Sequence, residues 1–242
     1  MNYSIIIPTL NEERLLPELL QQITDKNLKN LYRIEIIVSD GGSKDNTVRI
    51  ALDHADIVIV HTESDIQTIA EGRNKGAEHA SGDILIFFNG DVRIESPGEF
   101  FRFVDESLST NHYMAITGYV SIYPEEAGSL DTIFHYCYNH YFQLLNNIGV
   151  GMGRGECHII RKNIFDKLGG YNENFAAGED FDLYRRIRRE GEILFTKKIQ
   201  IYESPRRFRK KGYFSVTWMW IKNGISVWMK NKSISKIWEQ VR

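Results

Sequence analysis

Short apolar runs rich in β-branched residues alternate with longer amphipathic stretches over the first hundred residues. The runs end in turn residues and predict four strands, at 4–8, 34–40, 57–61 and 84–89. The stretches between and after them repeat apolar residues at helical spacing and predict helices near 12–25, 47–55, 69–80 and 97–109. Near-continuous apolar strands separated by helices indicate an α/β fold, with a mostly parallel sheet covered on both faces.

The second half of the chain has a less regular pattern. It predicts strands at 114–122 and 158–161, and an aromatic-rich helix at 130–146. A glycine-rich loop spans 149–155, and a charged helix is predicted at 181–190, ending at Gly191. The composition changes near residue 204. We therefore predict one α/β domain over residues 1–204, followed by a tail over 205–242.

The tail differs from the domain in charge and in aromatic content. It holds ten Lys and Arg against Glu239 alone, a net charge of +9, and it contains all four tryptophans. Phe214, Trp218, Ile221, Ile225 and Trp228 are spaced as one face of an amphipathic helix. Such a helix binds an anionic membrane surface, or it packs on its own domain or on a second copy in a homodimer. The sequence leaves these alternatives open.

Overall charge and cysteine content set the expected environment. The net charge of −2 gives no indication of nucleic-acid binding. Cys137 and Cys157 form neither a disulfide framework nor a zinc-ligand pattern, which favours a reducing compartment. We predict neither a signal peptide nor a membrane-spanning helix, because the sequence has no run of about 18 apolar residues. The expected location is cytoplasmic.

Polar residues follow the predicted strands at the edge where parallel sheets bind their ligands. Asn89 and Asp91 follow the fourth strand, and a carboxylate there suits a hard divalent cation. A plain Asn-Gly turn is the alternative. Glu179 and Asp180 precede a helix and could supply a general base. Acidic residues are also simply favoured in the first turn of a helix.

Two further segments carry polar groups at this edge. Asp40 is followed by two glycines and could accept a hydrogen bond from a ribose or a base, or it could begin a turn before a helix cap at Asp45 or Asn46. Arg73 could reach a pyrophosphate or a carboxylate, or it could lie on a solvated helix face.

The order of these segments resembles that of the family-two glycosyltransferases, which have the GT-A fold. The resemblance covers residues 3 to about 190 and is carried by 8–13 (PTLNEE), 38–47 (VSDGGSKDNT), 72–76 (GRNKG), 80–83 (ASGD), 87–91 (FFNGD), 168–171 (LGGY) and 178–183 (GEDFDL). It implies a Rossmann-like, nucleotide-sugar-binding half at 1–111 and an acceptor and catalytic half at 112–204.

The resemblance also implies a donor site. Residues Pro8 and Thr9 belong to the donor-nucleotide loop, with Glu12 near the ribose. Asp40 matches the acidic residue that reads the base, commonly uracil, and Arg73 matches an arginine beside the base and the metal motif. A UDP-sugar is therefore the expected donor.

The catalytic groups follow from the same resemblance. Asp91 matches the last aspartate of the Asp-x-Asp motif, which binds Mg²⁺ or Mn²⁺ at the diphosphate. Asp180 matches the catalytic base, with Glu179 beside it. The chain departs from the family in two places. Asn89 replaces the first aspartate of the metal motif, and the Gln-x-x-Arg-Trp motif is absent, with the basic segment 204–209 in a comparable place.

These groups suit a single chemistry. A nucleoside diphosphate leaving group needs a metal or a cationic clamp, and an acceptor hydroxyl needs a base. We expect one in-line displacement with inversion, onto a sugar, lipid-linked or other hydroxyl acceptor, by a peripheral protein on the inner face of the membrane. A sugar-phosphate nucleotidyltransferase is the alternative enzyme, and a nucleotide-sugar sensor the non-catalytic one.

Overall fold

The four strands predicted in the first half form the parallel part of the sheet. The structure is a computed structural model that describes residues 1–63, 66–230 and 233. Strands β1 (Tyr3–Thr9), β2 (Ile34–Asp40), β3 (Ile57–Val60) and β4 (Ile84–Phe88) lie in the order β3-β2-β1-β4, with all three pairings parallel. Their carboxyl ends therefore lie at one edge.

The helices of this half begin and end close to their predicted positions, with one correction. They are α1 (Leu16–Ile23), α2 (Lys26–Tyr32), α3 (Thr47–His54), α4 (Ile69–Glu78) and α5 (Pro97–Leu108). The helix predicted over 12–25 was too long at its start. Asn11 takes a left-handed backbone conformation with φ of 52°, so the chain first forms a loop at the sheet edge. Helix α2, capped by the Asp25 carboxylate, was not predicted.

The second half extends the same sheet. Strands β5 (Val92–Ile94), β6 (Tyr113–Ile122), β7 (Cys157–Arg161) and β8 (Glu192–Glu203) continue it in the order β4-β7-β6-β8-β5. Strand β7 is antiparallel to β4 and β6, whereas β6 and β8 are parallel. Helices α6 (Ser129–Asn147), α7 (Lys162–Lys167) and α8 (Glu179–Glu190) pack around this half. Strands β5 and β8 were not predicted.

Alternating side chains of β1 supply both layers of the core. Ile5 and Ile7 pack on one face with α1, and Ile6 packs on the other face with α4. Helix α4 lies very close to the sheet, since a Cβ placed on Gly76 would lie 2.4 Å from Ile6 Cγ2. This close packing brings Arg73, one turn earlier on α4, to the edge where the strands end.

The chain beyond residue 204 begins with two helices that pack on the domain. They are α9 (Arg206–Lys211) and α10 (Tyr213–Lys230), and Phe208 and Val216 are buried against Ile122. Of the predicted amphipathic face, Phe214, Trp218 and Ile221 are exposed. Trp238 and the side chains of Ile225 and Trp228 lie outside the described part. No helix within the described ranges has the length and hydropathy that a membrane crossing requires.

Candidate active site

A large cavity opens at the carboxyl ends of the parallel strands. Its volume is about 1260 Å³, and its walls combine the β1 and β4 termini with α6, α8, α9 and α10. Of the nine predicted site residues, eight line it: Pro8, Thr9, Glu12, Arg73, Asn89, Asp91, Glu179 and Asp180. Residues up to 172 positions apart in sequence thus face one space, as expected for the ligand-binding edge of an α/β sheet.

Asp40 is the exception, because it does not line the cavity and its carboxylate is held by hydrogen bonds within the protein; its contact with a nucleobase stays a prediction. Its carboxylate is fully buried. One oxygen accepts the backbone N–H groups of Gly42 (3.0 Å) and Ser43 (2.7 Å), and the other accepts the hydroxyls of Thr9 (2.9 Å) and Ser43 (2.5 Å). These four bonds occupy the acceptor sites of a carboxylate. Asp40 therefore links the end of β1 to the turn after β2.

Glu12 is held at the cavity by the first residue of α3. Its backbone N–H donates to Thr47 Oγ1 at 2.7 Å. Its side chain lies against the turn after β4, since a Cβ on Gly90 would lie 3.3 Å from Glu12 Cγ. The Glu12 carboxylate accepts a hydrogen bond from Arg206 Nη2 at 2.6 Å. Glu12 therefore joins the donor loop to α9.

Arg73 is buried, with 1% of its surface exposed, and it connects three segments of the site. Its Nη1 donates to Glu179 Oε1 at 3.0 Å, and its Nη2 donates to Asn89 Oδ1 at 3.0 Å and to the Gly155 carbonyl at 2.7 Å. The Asn89 amide oxygen is thus engaged by an arginine.

Asp91 lies beside Arg206, the first residue of α9. Arg206 Nη2 donates to Asp91 Oδ2 at 2.9 Å as well as to Glu12, so a cation already sits between two carboxylates. The basic segment 204–209 was expected to replace the missing family motif. Arg206 of that segment reaches Asp91, and its only signal in the sequence was the basic composition after Pro205.

The described residues contain no group of three or more His, Cys, Asp or Glu side chains arranged to hold a metal ion. Asp91 alone is the kind of ligand set that Mg²⁺ accepts when substrate phosphates complete it. The residues present therefore fit a metal that is held jointly with a diphosphate and do not fit a site made only of protein ligands.

Glu179 and Asp180 have different environments although they are adjacent. Gly178 takes a left-handed conformation with φ of 87°, which turns the chain into α8 at the cavity wall. Glu179 is paired with Arg73. Asp180 Oδ1 accepts its neighbour Phe181 N–H at 2.8 Å, while burial, and next the charge of Glu179, raises the pKa of Asp180 to about 7. A carboxylate with a pKa near neutrality suits a general base.

A second charged cluster lines the cavity and was missed by the sequence reasoning. Arg154, almost fully buried, donates to Glu156 Oε2 and Glu203 Oε1, both at 3.2 Å. Burial, and next the charge of Glu156, raises the pKa of Glu203 well above its usual value, whereas Arg154 opposes burial and lowers that of Glu156. Glu203 ends β8 without any motif, and Arg154 lies in the glycine-rich loop, which was the only signal.

A parallel nucleotide-binding half joined to a mixed half across one cavity is the fold of the GT-A glycosyltransferases. The chain belongs to glycosyl transferase family 2, because the profile of that family matches residues 4–169. The fold class and the family resemblance drawn from the sequence are confirmed, and the family argues against the nucleotidyltransferase alternative.

Two relatives illustrate the range of the family. An uncharacterised glycosyltransferase of Haemophilus influenzae is 26% identical over 77% of this chain and 62% of its own length. An undecaprenyl-phosphate 4-deoxy-4-formamido-L-arabinose transferase of Pseudomonas fluorescens is 32% identical over 43% of this chain and 31% of its own. This chain therefore spans less than two thirds of either relative.

Solved structures show the same fold at low identity. A mannosyltransferase of Pyrobaculum calidifontis, in complex with GDP-Man and Mn²⁺, has a TM-score of 0.69 at 18% identity and matches 93% of this chain and 61% of its own. TarS 1–349 of S. aureus, in complex with UDP-GlcNAc, has a TM-score of 0.64 at 19% identity, over 84% of this chain and 58% of its own. At these identities the likeness establishes the fold.

Proposed function

We propose that this protein is an inverting, metal-assisted glycosyltransferase that moves a sugar from a UDP-sugar to a hydroxyl group of a lipid-linked acceptor. The observation that carries the proposal is that two carboxylates in different environments line the same cavity. Asp180 is a carboxylate whose pKa is raised to about 7, and Asp91 is a carboxylate at a strand tip beside a cation.

Asp180 is the general base of the proposed reaction. It accepts the proton of the acceptor hydroxyl while the hydroxyl oxygen attacks the anomeric carbon and the bond to the diphosphate breaks. Glu179 cannot share this role as it stands, because its carboxylate is committed to Arg73. Glu179 and Arg73 instead position the turn that carries Asp180.

The leaving diphosphate needs positive charge. A divalent metal held by Asp91 and the phosphate oxygens would supply electrostatic stabilisation of the leaving group when bound. Arg206, next to both Asp91 and Glu12, adds a second positive charge at the same place. Glu12 and the donor loop, shaped by Asp40, orient the nucleoside.

The ion pairs of the other carboxylates in the cavity support inversion. A retaining enzyme with a covalent intermediate needs a nucleophilic carboxylate at the anomeric carbon. Glu156 and Glu203 line the cavity, but both are paired with Arg154. A single displacement assisted by Asp180 therefore fits the side chains best.

The donor and acceptor classes are supported by the relatives. TarS was solved with UDP-GlcNAc, and the Pseudomonas fluorescens relative is named for an undecaprenyl-phosphate substrate. We infer that the protein acts as a peripheral protein at the cytoplasmic face of a membrane, where it would meet a lipid-linked acceptor.

The test is a thermal-shift panel of UDP-, GDP- and dTDP-sugars with and without Mn²⁺, followed by an assay of donor hydrolysis. A ligand that binds the native state raises the melting temperature by mass action. We expect a Mn²⁺-dependent rise with one UDP-sugar and slow release of UDP. A UDP-sugar that binds without any hydrolysis or transfer would indicate a nucleotide-sugar sensor and overturn the catalytic assignment.

A further inference from the structure

Helix α6 turns its polar face toward the domain and its apolar face outward, the opposite of an ordinary surface helix. The side chains that it buries against the domain are mostly polar, namely Asp131, His135, Asn139 and Asn146. Asn139 bonds both backbone groups of Val120 on β6, and Asp131 pairs with Arg209 on α9. Amphipathic helices of soluble domains normally turn their apolar side inward, so α6 is held by hydrogen bonds instead.

The outward side of α6 is mostly apolar. The exposed residues recur at helical spacing: Leu130, Ile133, Tyr136, Tyr141, Leu144 and Ile148. Cys137 is also exposed on this side. The only ionisable acidic or basic side chain among residues 129–147, other than histidine, is the buried Asp131. An uncharged apolar face of this length is a feature of a surface that contacts lipid or a partner.

Helix α10 continues the apolar surface across the mouth of the cavity. Tyr138 on α6 stacks on Trp220 on α10, with ring centroids 5.3 Å apart. Tyr141 and Ile221, one from each helix, are both largely exposed and both line the cavity. Phe214 and Trp218 extend the exposed face of α10. We refer to the exposed apolar residues of α6 and α10 as the rim surface.

Basic side chains lie near both helices of the rim surface. Arg185, Arg188 and Arg189 of α8 line the cavity that the rim surface borders. A Cβ on Gly149, directly after the last residue of the α6 face, would lie 3.7 Å from Arg188 Nη2. On α10, the Lys222 ammonium lies 5.8 Å from the Trp218 ring centroid. Aromatic and aliphatic groups flanked by basic residues match an anionic lipid surface in both polarity and charge.

We propose that the rim surface docks on an anionic lipid bilayer and holds the cavity mouth against it. This proposal rests on the proposed function, because docking matters only if the acceptor is lipid-linked. Docking would then supply the route by which that acceptor enters the cavity. It adds α6 as a docking element independent of residues 231–242. A symmetric dimer through the same surface would bring the basic flanks of two copies together, so their like charges disfavour that occupant.

Cys137 allows docking to be measured on the full chain. Cys137 is exposed on α6 and Cys157 is buried, so a polarity-sensitive nitrobenzoxadiazole maleimide labels the rim surface selectively. We expect its emission to shift to shorter wavelength with phosphatidylglycerol vesicles at low salt. The shift should weaken with phosphatidylcholine or at high salt, since arginine and lysine attraction is screened. No shift with phosphatidylglycerol at low salt would overturn the proposal.

Matched variants test whether binding to vesicles depends on α6 or on exposed apolar side chains anywhere on the protein. Ile133→Ser/Leu144→Ser removes two side chains that are 62% and 57% exposed on α6, outside the cavity. Leu31→Ser/Leu52→Ser is the control, since these leucines are 71% and 65% exposed on other helices. In vesicle flotation of unlabelled protein, we expect about a tenfold or greater loss of partitioning for the α6 variant only. Equal partitioning of the two double variants would refute the assignment.

Two further measurements distinguish membrane docking from the proposed catalytic function and from dimerisation. Mn²⁺-dependent UDP-sugar hydrolysis in solution should be equal in the wild type and in Ile133→Ser/Leu144→Ser, because neither side chain lines the cavity. Absence of that hydrolysis from the wild type would count against the proposed function while the flotation result stands separately. Sedimentation velocity showing a dimer that the α6 variant dissociates would replace the lipid surface with a second copy of the chain.

Discussion

Replacing Asp180 with asparagine removes one ionisable proton from the cavity and preserves the shape of the side chain. Burial and the neighbouring Glu179 raise the pKa of Asp180 to about 7. If Asp180 is the base, only its ionised form is active. The wild-type kcat/KM should then fall tenfold per pH unit below about pH 7, and about 100-fold between the plateau and pH 5.

The size of the mutational effect follows from the same role. General base catalysis contributes about 10²–10⁴-fold, so Asp180→Asn should lower kcat by that factor and abolish the acidic limb of the pH profile. The affinity for donor should be nearly unchanged, because the donor contacts are assigned to other residues. A coupled assay of UDP release against pH, with calorimetry of donor binding, measures both quantities.

The pH dependence of the melting temperature tests the raised pKa of Asp180 independently of activity. A carboxyl whose pKa is raised in the folded state stabilises the fold below its unfolded pKa of about 3.9, and this stabilisation is lost as the pH rises through about 7. The neutral asparagine avoids that loss. Asp180→Asn should therefore melt at a higher temperature than the wild type at pH 8, and the difference should shrink toward pH 4.

Asp182 supplies the matched control on the same helix. Its carboxylate pairs with Arg186 at 2.8 Å, and it does not line the cavity. Asp182→Asn should keep the wild-type pH profile. Wild-type kcat in Asp180→Asn would refute the assignment of the base. Lost donor binding with normal turnover at saturation would place Asp180 in the donor site instead.

Three further predictions follow from the contacts of the site. Asp91→Ala should abolish Mn²⁺-dependent donor binding and nearly all transfer while the fold is kept, and an Asp91→Ala enzyme with normal rates would rule out the metal role. Asn89→Asp should be tolerated, because it introduces the residue that is commoner in the family. Arg206→Ala should raise the donor KM about tenfold or more, since it removes a positive charge beside the proposed diphosphate site, and Arg206→Lys should recover part of the loss in steady-state kinetics. An unchanged KM would contradict this. Gly76→Ala should lower the free energy of unfolding by about 1–3 kcal/mol in urea titrations, because its Cβ would meet Ile6 at 2.4 Å, and an unchanged midpoint would show that α4 can move away.

The sequence by itself determined the parallel half of the fold and most of the site. Apolar strands and amphipathic helices are local patterns, so the strands ending at Asp40 and Phe88 could be located from periodicity alone. The polar residues after those strands could then be placed together, because parallel strands end at one edge. The family motifs, which are contiguous in sequence, added the roles of Asp91 and Asp180 as predictions.

The tertiary structure alone decided what depends on distant pairing. Strands β5 and β8 hydrogen-bond to each other across more than 100 residues, and no local pattern marks them. Arg206 meets Glu12 from 194 positions away, and the Arg154 cluster gathers from a loop and the end of β8. Asp40 was assigned to a base because an acidic residue at a strand end is an available acceptor. The four hydrogen bonds that its carboxylate accepts from Thr9, Gly42 and Ser43 are visible only in the tertiary structure.

Helix α6 is the clearest case of an element whose position the sequence predicts and whose orientation it does not. Its sequence predicted a helix over 130–146, and the structure has one over Ser129–Asn147. Helical spacing shows that a sequence has two unlike faces but does not fix which of them packs on the domain. Here the Val120 backbone and the Arg154 and Arg209 guanidinium groups bind the polar face and turn the apolar face outward. The direction of an amphipathic helix is set by the groups it meets, and those come from elsewhere in the chain.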